Sequence, residues 1–63
     1  MEMNPVNSSA IRAVGYDGYT LRVKFHSGRV YDHPNVPAHV YHGLMQASSM
    51  GRYYSDNIRG RYR

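Results

Sequence analysis

Several residue types that reinforce or anchor small proteins are absent or scarce in this sequence. None of its 63 residues is cysteine, so neither a disulfide nor a thiolate metal site can form. Its apolar runs fall far short of the roughly 20 residues that a membrane span needs. Four acidic residues leave little material for paired catalytic carboxylates. Residues 1–5 show no basic stretch followed by an apolar one, so we expect no secretion signal and a cytoplasmic location.

Arginine and tyrosine are the abundant functional side chains. Eight Lys and Arg against four Asp and Glu give a net charge of +4, and the chain has seven tyrosines. All but one of the eight cations are arginine. Arginine makes forked contacts to phosphate and stacks on bases or aromatic rings. The composition suits nucleic-acid or protein partners, although a charge of this size also serves solubility alone.

The first half of the chain predicts a small antiparallel sheet. We expect one domain over residues 1–63, with a loose N-terminus at 1–8 and a sheet at 9–33. Three strands are predicted, at residues 11–16, 20–26 and 29–33. Leu21, Val23 and Phe25 alternate with basic residues, which indicates one buried face and one basic face in water. The connecting turns are short, so the strands form a meander.

The second half predicts two short helices at 36–58 and a basic tail at 59–63. Val40 and Leu44 recur at helical spacing in a first helix that starts at Pro37 and ends near residue 47. Ser49 can cap a second helix that runs to about residue 58, where Gly60 can stop it. The predicted fold is α+β, a three-stranded antiparallel meander followed by two helices on one face (β-β-β-α-α).

A series of short motifs follows in a fixed order along the chain. They are Ser8-Ser9, Gly15-Tyr16-Asp17, Leu21-x-Val23-x-Phe25, Gly28-x-Val30-Tyr31, Val36-Pro37, Val40-Tyr41, Ser49-x-Gly51-Arg52-Tyr53 and Ile58-Arg59-x-Arg61-Tyr62. In this order and spacing, the sequence from residue 8 to residue 62 resembles the KTSC domain. That domain is named from the C-terminus of some lysyl-tRNA synthetases and also occurs as stand-alone bacterial and phage proteins.

The resemblance implies a role in RNA binding, suggested by the attachment to a synthetase, and it carries over no catalytic residue. One position departs from the family, whose central Tyr-x-Tyr reads Tyr31-Asp32-His33 here. A histidine in place of the second tyrosine can still stack on a base, with less surface. If that position packs in the core instead, the core is slightly smaller and gains a titratable group.

The location of Tyr31 and His33 depends on the loop of the second hairpin. A two-residue loop would pair Tyr31 with Lys24 and expose both rings on the basic face, as in sheets that stack RNA bases. A three-residue loop would pair Tyr31 with Val23 and turn both rings toward the core. The three-residue loop needs a positive φ only at Gly28. We therefore expect Tyr31 to be largely buried beneath the helices.

The candidate nucleic-acid-binding residues lie mainly near the C-terminus. They are Arg52, Tyr53, Arg59, Arg61 and Arg63, with Arg22 and Lys24 on the basic strand face and Tyr31 and His33 as motif residues. Clustered arginines interleaved with tyrosine offer positive charge to phosphates and rings to unpaired bases. The competing interpretations are an ordinary solvated face and a protein contact surface, which also favours these residues.

No arrangement of residues indicates catalysis. His39 and His42 lie three apart on the first predicted helix, but a zinc site needs further ligands. We therefore expect no enzymatic activity, no cofactor and no metal. The first hypothesis is a non-catalytic module that binds RNA, tRNA-like or single-stranded. The alternative is a protein-interaction module, as a homodimer or with a phage or host partner, that uses an open sheet edge. We expect no membrane partner.

Overall fold

The computed structural model describes residues 1–62 and shows a four-stranded antiparallel sheet with two helices. The elements are β1 (Asn4–Pro5), β2 (Ile11–Tyr16), β3 (Leu21–Phe25), β4 (Val30–His33), α1 (Ala38–Gln46) and α2 (Met50–Asn57). The strands lie side by side in chain order. The predicted α+β class is confirmed. No helix within residues 1–62 has the length and apolar character that crossing a membrane requires.

The expectation of three strands is wrong, because a fourth lies within the segment predicted to be a loose start. Asn4 is opposite Val14 and Pro5 is opposite Ala13 in the β1–β2 pair. The Val6 N–H then donates to a β2 carbonyl at 3.0 Å. Both residues of β1 are exposed, so the sequence shows no alternation of apolar and polar residues from which this strand could be predicted. Proline is tolerated here because β1 is an edge strand.

The N-terminal residues also cover part of the sheet face that the helices leave open. A Cβ placed on Gly15 would lie 2.7 Å from the Met3 sulfur and 2.9 Å from the Glu2 carbonyl oxygen. Gly15 is buried for this reason. A side chain at this position would push residues 1–3 off the outer face.

The core lies between the inner face of the sheet and the helices. Its buried side chains are Ile11, Val14, Leu21, Val23, Val36, Val40, Leu44, Met50, Tyr54 and Ile58. Ile11 and Val14 reach the same core despite their odd spacing, because a bulge shifts the β2–β3 register between Ile11 and Ala13. The predicted inward positions of Leu21 and Val23 are confirmed, whereas Phe25 is only half-buried.

The hairpin between β3 and β4 has the three-residue loop that the sequence favours. Val23 is opposite Tyr31, and the Phe25 N–H donates to the Arg29 carbonyl at 2.9 Å. Gly28 has the required positive φ of 97°. The expectation that Tyr31 is largely buried is nevertheless wrong, since it is 42% exposed. It faces the helix side, but β4 is an edge strand and α2 does not reach across to cover the ring.

Helix α2 begins at its predicted cap, Ser49, and the two helices approach each other closely at one point. The Ser49 side chain accepts a hydrogen bond from the Arg52 N–H at 3.4 Å, and Gly60 has a φ of 78°. At the crossing of α1 and α2, Gly43 lies under Tyr53. A Cβ on Gly43 would lie 2.7 Å from Cζ of that ring. The missing side chain at Gly43 therefore leaves the space that the Tyr53 ring occupies.

We expect Gly43→Ala to destabilise the protein by about 1–2 kcal/mol, because the new methyl group forces Tyr53 out of its place. Helix propensity alone would favour alanine by about 0.5–1 kcal/mol. In a Tyr53→Ala background the steric conflict is gone, so the same substitution should stabilise. Urea unfolding of the wild type, the two single variants and the double variant measures the change in unfolding free energy in each background. Stabilisation by Gly43→Ala in the wild-type background would show that the helices do not meet as described.

Candidate functional site

A groove lies between the β3–β4 hairpin and α2, with a volume of about 730 Å³. Its main lining side chains are Phe25, Arg29, Tyr31, Tyr54, Ser55 and Arg59. Tyr31 and Phe25 stand on the inner face of the sheet because the hairpin register sends odd-numbered residues of β3 and β4 that way. Tyr54 and Ser55 come from α2, and Arg59 from the turn that follows it.

Aromatic rings form the floor of this groove. The Phe25 ring meets Tyr31 edge to face, with ring centroids 5.8 Å apart. It meets Tyr54 in the same way at 5.1 Å. Edge-to-face contacts of this kind are favourable and hold the rings in fixed orientations. Tyr31 is the exposed member of the three, so it is the ring on which a planar ligand can stack.

Two arginines give the groove a positive rim. Arg29 Nη1 donates to the Tyr31 hydroxyl at 3.3 Å, and this hydrogen bond raises the pKa of Arg29. Arg59 stands on the opposite wall, and it is exposed. Neither cation forms an ion pair with an acid among residues 1–62. No acidic residue lines the groove, so it attracts anions.

A buried histidine joins the sheet to the C-terminal segment beside this groove. His33 is 8% exposed, and both its ring nitrogens have partners. Nδ1 lies 2.7 Å from the Tyr62 carbonyl oxygen, and Nε2 lies 2.7 Å from the Tyr54 hydroxyl. A carbonyl only accepts, so Nδ1 carries the proton and donates. In the neutral ring Nε2 then accepts from the Tyr54 hydroxyl. Burial raises the pKa of Tyr54, which keeps that hydroxyl a donor.

Of the predicted site residues, the groove brings together Tyr31, His33 and Arg59. His33 is a core residue with both nitrogens bonded, so it packs rather than offering a stacking surface. Sequence reasoning missed Arg29, although its place two residues before Tyr31 puts it on the same strand face. Tyr54 was not among the predicted site residues, and its side chain both packs in the core and lines the groove.

The basic strand face is partly neutralised. Arg22 makes a two-pronged contact to Asp32, with Nε to Oδ1 at 2.7 Å and Nη2 to Oδ2 at 2.8 Å. The hydrogen bond from Arg22 lowers the pKa of Asp32, so the pair stays ionised at neutral pH. Lys24 lies on the same outer face, away from the groove. This face is therefore less basic than the sequence suggests.

The remaining predicted residues are spread around α2. Arg52 is exposed, with Nε 3.7 Å from Oδ2 of Asp56. Tyr53 packs on α1 at Gly43 and does not line the groove. Arg61 is exposed in the turn after α2. Arg63 lies outside the described residues. Within residues 1–62, no group of three or more His, Asp or Glu side chains could hold a metal ion.

Comparison with known proteins identifies the family. The sequence model of the KTSC domain matches residues 7–62. The chain belongs to the KTSC domain family. A protein of Tsukamurella paurometabola is 40% identical over 63 residues, which covers 97% of this chain and 94% of that protein. An uncharacterized protein of Stutzerimonas stutzeri is 37% identical over 57 residues, which covers 87% of this chain and 80% of that protein.

A solved structure supports the same assignment. The crystal structure of a KTSC domain protein from Yersinia pestis matches with a TM-score of 0.93 at 31% identity, over 98% of this chain and 90% of that one. The resemblance inferred from the motifs is therefore confirmed, and this chain has the same fold as that KTSC domain protein. The names of these relatives state neither a reaction nor a ligand.

We expect Tyr54→Phe to lower the free energy of unfolding by about 1–3 kcal/mol, because His33 Nε2 then lacks its buried donor. Chemical unfolding at neutral pH measures this loss. Tyr19→Phe is the control, since Tyr19 is 57% exposed. Equal stability of Tyr54→Phe and wild type would contradict the hydrogen bond.

The same substitution should change the alkaline stability profile. Burial holds the pKa of folded Tyr54 above its usual value near 10.0, so the folded state keeps this proton longer than the unfolded state. The stabilisation is complete below that value and is lost as pH rises through the higher folded pKa. Wild type should therefore lose stability more steeply than Tyr54→Phe above about pH 10.

Proposed function

We propose that this KTSC domain is a non-catalytic module that binds single-stranded RNA through the groove between the β3–β4 hairpin and α2. The observation that carries the proposal is an exposed aromatic ring, Tyr31, between two cations that have no acidic partner among residues 1–62. Single-strand binding proteins combine these two elements, a ring for a base and positive charge for the backbone.

Tyr31 is the stacking surface in this proposal. Its ring is oriented by two contacts, the edge of Phe25 on one side and the hydrogen bond from Arg29 at its hydroxyl. A ring that is already oriented loses little entropy when a base stacks on it. Stacking of one base on an aromatic side chain contributes about 1–3 kcal/mol. The aromatic floor formed with Tyr54 continues the apolar surface under the ligand.

The phosphates are the ligands of the arginines. Arg29 and Arg59 lie on opposite walls of the groove, and Arg61 follows Arg59 in the same turn. A backbone that passes over the groove would meet positive charge on both sides of the stacked base. The Tyr31 ring lines the groove, so a base can stack on it only when that base is not stacked on its neighbours in the strand. For this reason the proposal specifies unpaired RNA rather than a duplex.

A titration of a labelled single-stranded oligoribonucleotide at several salt concentrations tests this proposal. Tyr31→Ala should weaken binding by about 5- to 150-fold, the equivalent of one stacked base. Arg59→Ala should weaken it less and lower the slope of log K against log salt by about 0.7. The matched controls are Tyr19→Ala and Arg12→Ala, which remove the same groups at exposed positions outside the groove.

Equal losses in the Tyr19 and Tyr31 variants would show that binding does not use the groove. A labelled duplex should bind more weakly than the single strand at the same salt concentration. Asp32→Asn adds a further control, because it frees Arg22 on the outer face. A large gain in affinity for that variant would place RNA on the outer face and overturn the proposed site.

A protein-interaction role is the second candidate, and the β4 edge favours it. No strand within residues 1–62 pairs with the outer side of β4, and Val30 on this strand is 50% exposed. An unpaired edge can accept a strand from another chain. If two copies pair in this way, light scattering should show a dimer that Val30→Lys shifts toward monomer. A monomer at every concentration would contradict self-association through this edge.

A further inference from the structure

We infer that His33 is a positioning residue: by anchoring the C-terminal turn to β4, it holds Arg61, two residues after Arg59 of the groove wall, where it can contact the backbone of a bound RNA. This inference deepens the proposed function and rests on it. The anchor is the hydrogen bond that His33 Nδ1 donates to the Tyr62 carbonyl oxygen at 2.7 Å. It joins residues 29 positions apart in the sequence, one in the sheet and one beyond the last helix.

The turn needs such an anchor because of what precedes it. Helix α2 ends at Asn57, and the next buried side chain is Ile58. Gly60 then adopts a φ of 78° and is exposed. Glycine is the residue with the greatest conformational freedom, so the order of the chain beyond it depends on later contacts, which are the packing of Tyr62 against the core and the bond from His33. The bond to Tyr62 closes the turn on its far side.

Arg61 is positioned between these two fixed points. Its N–H donates to the Ile58 carbonyl at 3.0 Å, and the Tyr62 N–H approaches the same oxygen at 3.3 Å. The His33 bond fixes the Tyr62 carbonyl while the Tyr62 side chain packs against the core, and both contacts restrain the backbone at Arg61. A cation with a fixed position loses less entropy when it binds a phosphate than one on a frayed end.

The two bonds of His33 can be separated by substitution. Asparagine places an amide nitrogen near the position of Nδ1, so His33→Asn can keep the donor to Tyr62 while losing the contact to Tyr54. Glutamine places its amide near the position of Nε2, so His33→Gln can keep the contact to Tyr54 while losing the anchor. Both variants remove one buried hydrogen bond, and both should lose stability.

The test is the salt dependence of binding to the labelled single-stranded oligoribonucleotide, at a temperature where circular dichroism shows every variant folded. His33→Gln should weaken binding by about three- to tenfold and lower the slope of log K against log salt by about 0.7, the loss of one phosphate contact. His33→Asn should keep the wild-type slope. A purely structural role would affect both variants alike. Equal slopes in the two variants would overturn the inference.

A double-mutant comparison identifies the cation involved. Arg61→Ala should weaken binding in the wild-type background and have little further effect in the His33→Gln background, because the anchor acts through Arg61. Additive effects would contradict this. If His33→Gln does not fold, ¹⁵N relaxation of the wild-type Arg61 amide decides the matter. An order parameter below about 0.6, typical of a flexible chain, would show that the turn is not anchored.

The outcomes for the proposed function and for this inference are distinguishable. If the wild-type protein binds no single strand at low salt, the proposed function fails. If wild type binds, and Tyr31→Ala weakens binding while His33→Gln does not, the RNA groove stands and the positioning role of His33 is wrong.

Discussion

The positive φ of Gly28 determines the register of the β3–β4 hairpin, and the groove exists only in that register. With Val23 opposite Tyr31, both Tyr31 and His33 project toward the helices. A slip of one residue would move every side chain of β4 to the other face of the sheet. Val30 and Asp32 would then enter the core, and the bond between His33 and Tyr54 would be lost.

A domain of this size has a small hydrophobic core, so burying a polar group without hydrogen bonds would cost much of its stability. The two hydrogen bonds of the buried His33 ring are therefore important. The histidine is nearly excluded from solvent. A buried imidazole with an unpaired nitrogen would cost about 1–3 kcal/mol, a large part of the stability of so small a domain. Within the described residues, no buried side-chain nitrogen or oxygen lacks a partner. A buried histidine is therefore tolerated here because Tyr54 and the Tyr62 carbonyl supply both contacts.

The sequence predicts most of the fold and only part of the site, for identifiable physical reasons. Alternation at Leu21 and Val23 and helical spacing at Val40 and Leu44 report burial directly, so the main strands and helices could be located. The strand β1 has no such pattern, because its two residues are exposed. Gly28 indicated the hairpin register correctly. The register does not indicate how far α2 reaches, and that distance leaves Tyr31 exposed.

Charge pairing is the other property that a sequence does not reveal. Arg22 and Arg29 both belong to the β3–β4 hairpin, yet Arg22 is neutralised by Asp32 and Arg29 is bonded only to a tyrosine hydroxyl. The opposite faces of one small sheet thereby differ in electrostatic character. The outer face pairs Arg22 with an acid, and on the inner side Arg29 lies beside aromatic rings.

This separation explains why the groove, rather than the alternating strand face, is the better candidate for an anionic ligand. A paired arginine must give up its carboxylate before it can bind a phosphate, and that exchange offsets much of the gain. Arg29 and Arg59 have no such exchange to make with an acid among residues 1–62. Positive charge without an acidic partner and an exposed ring occur together in the groove, at the junction of β4 with the end of α2.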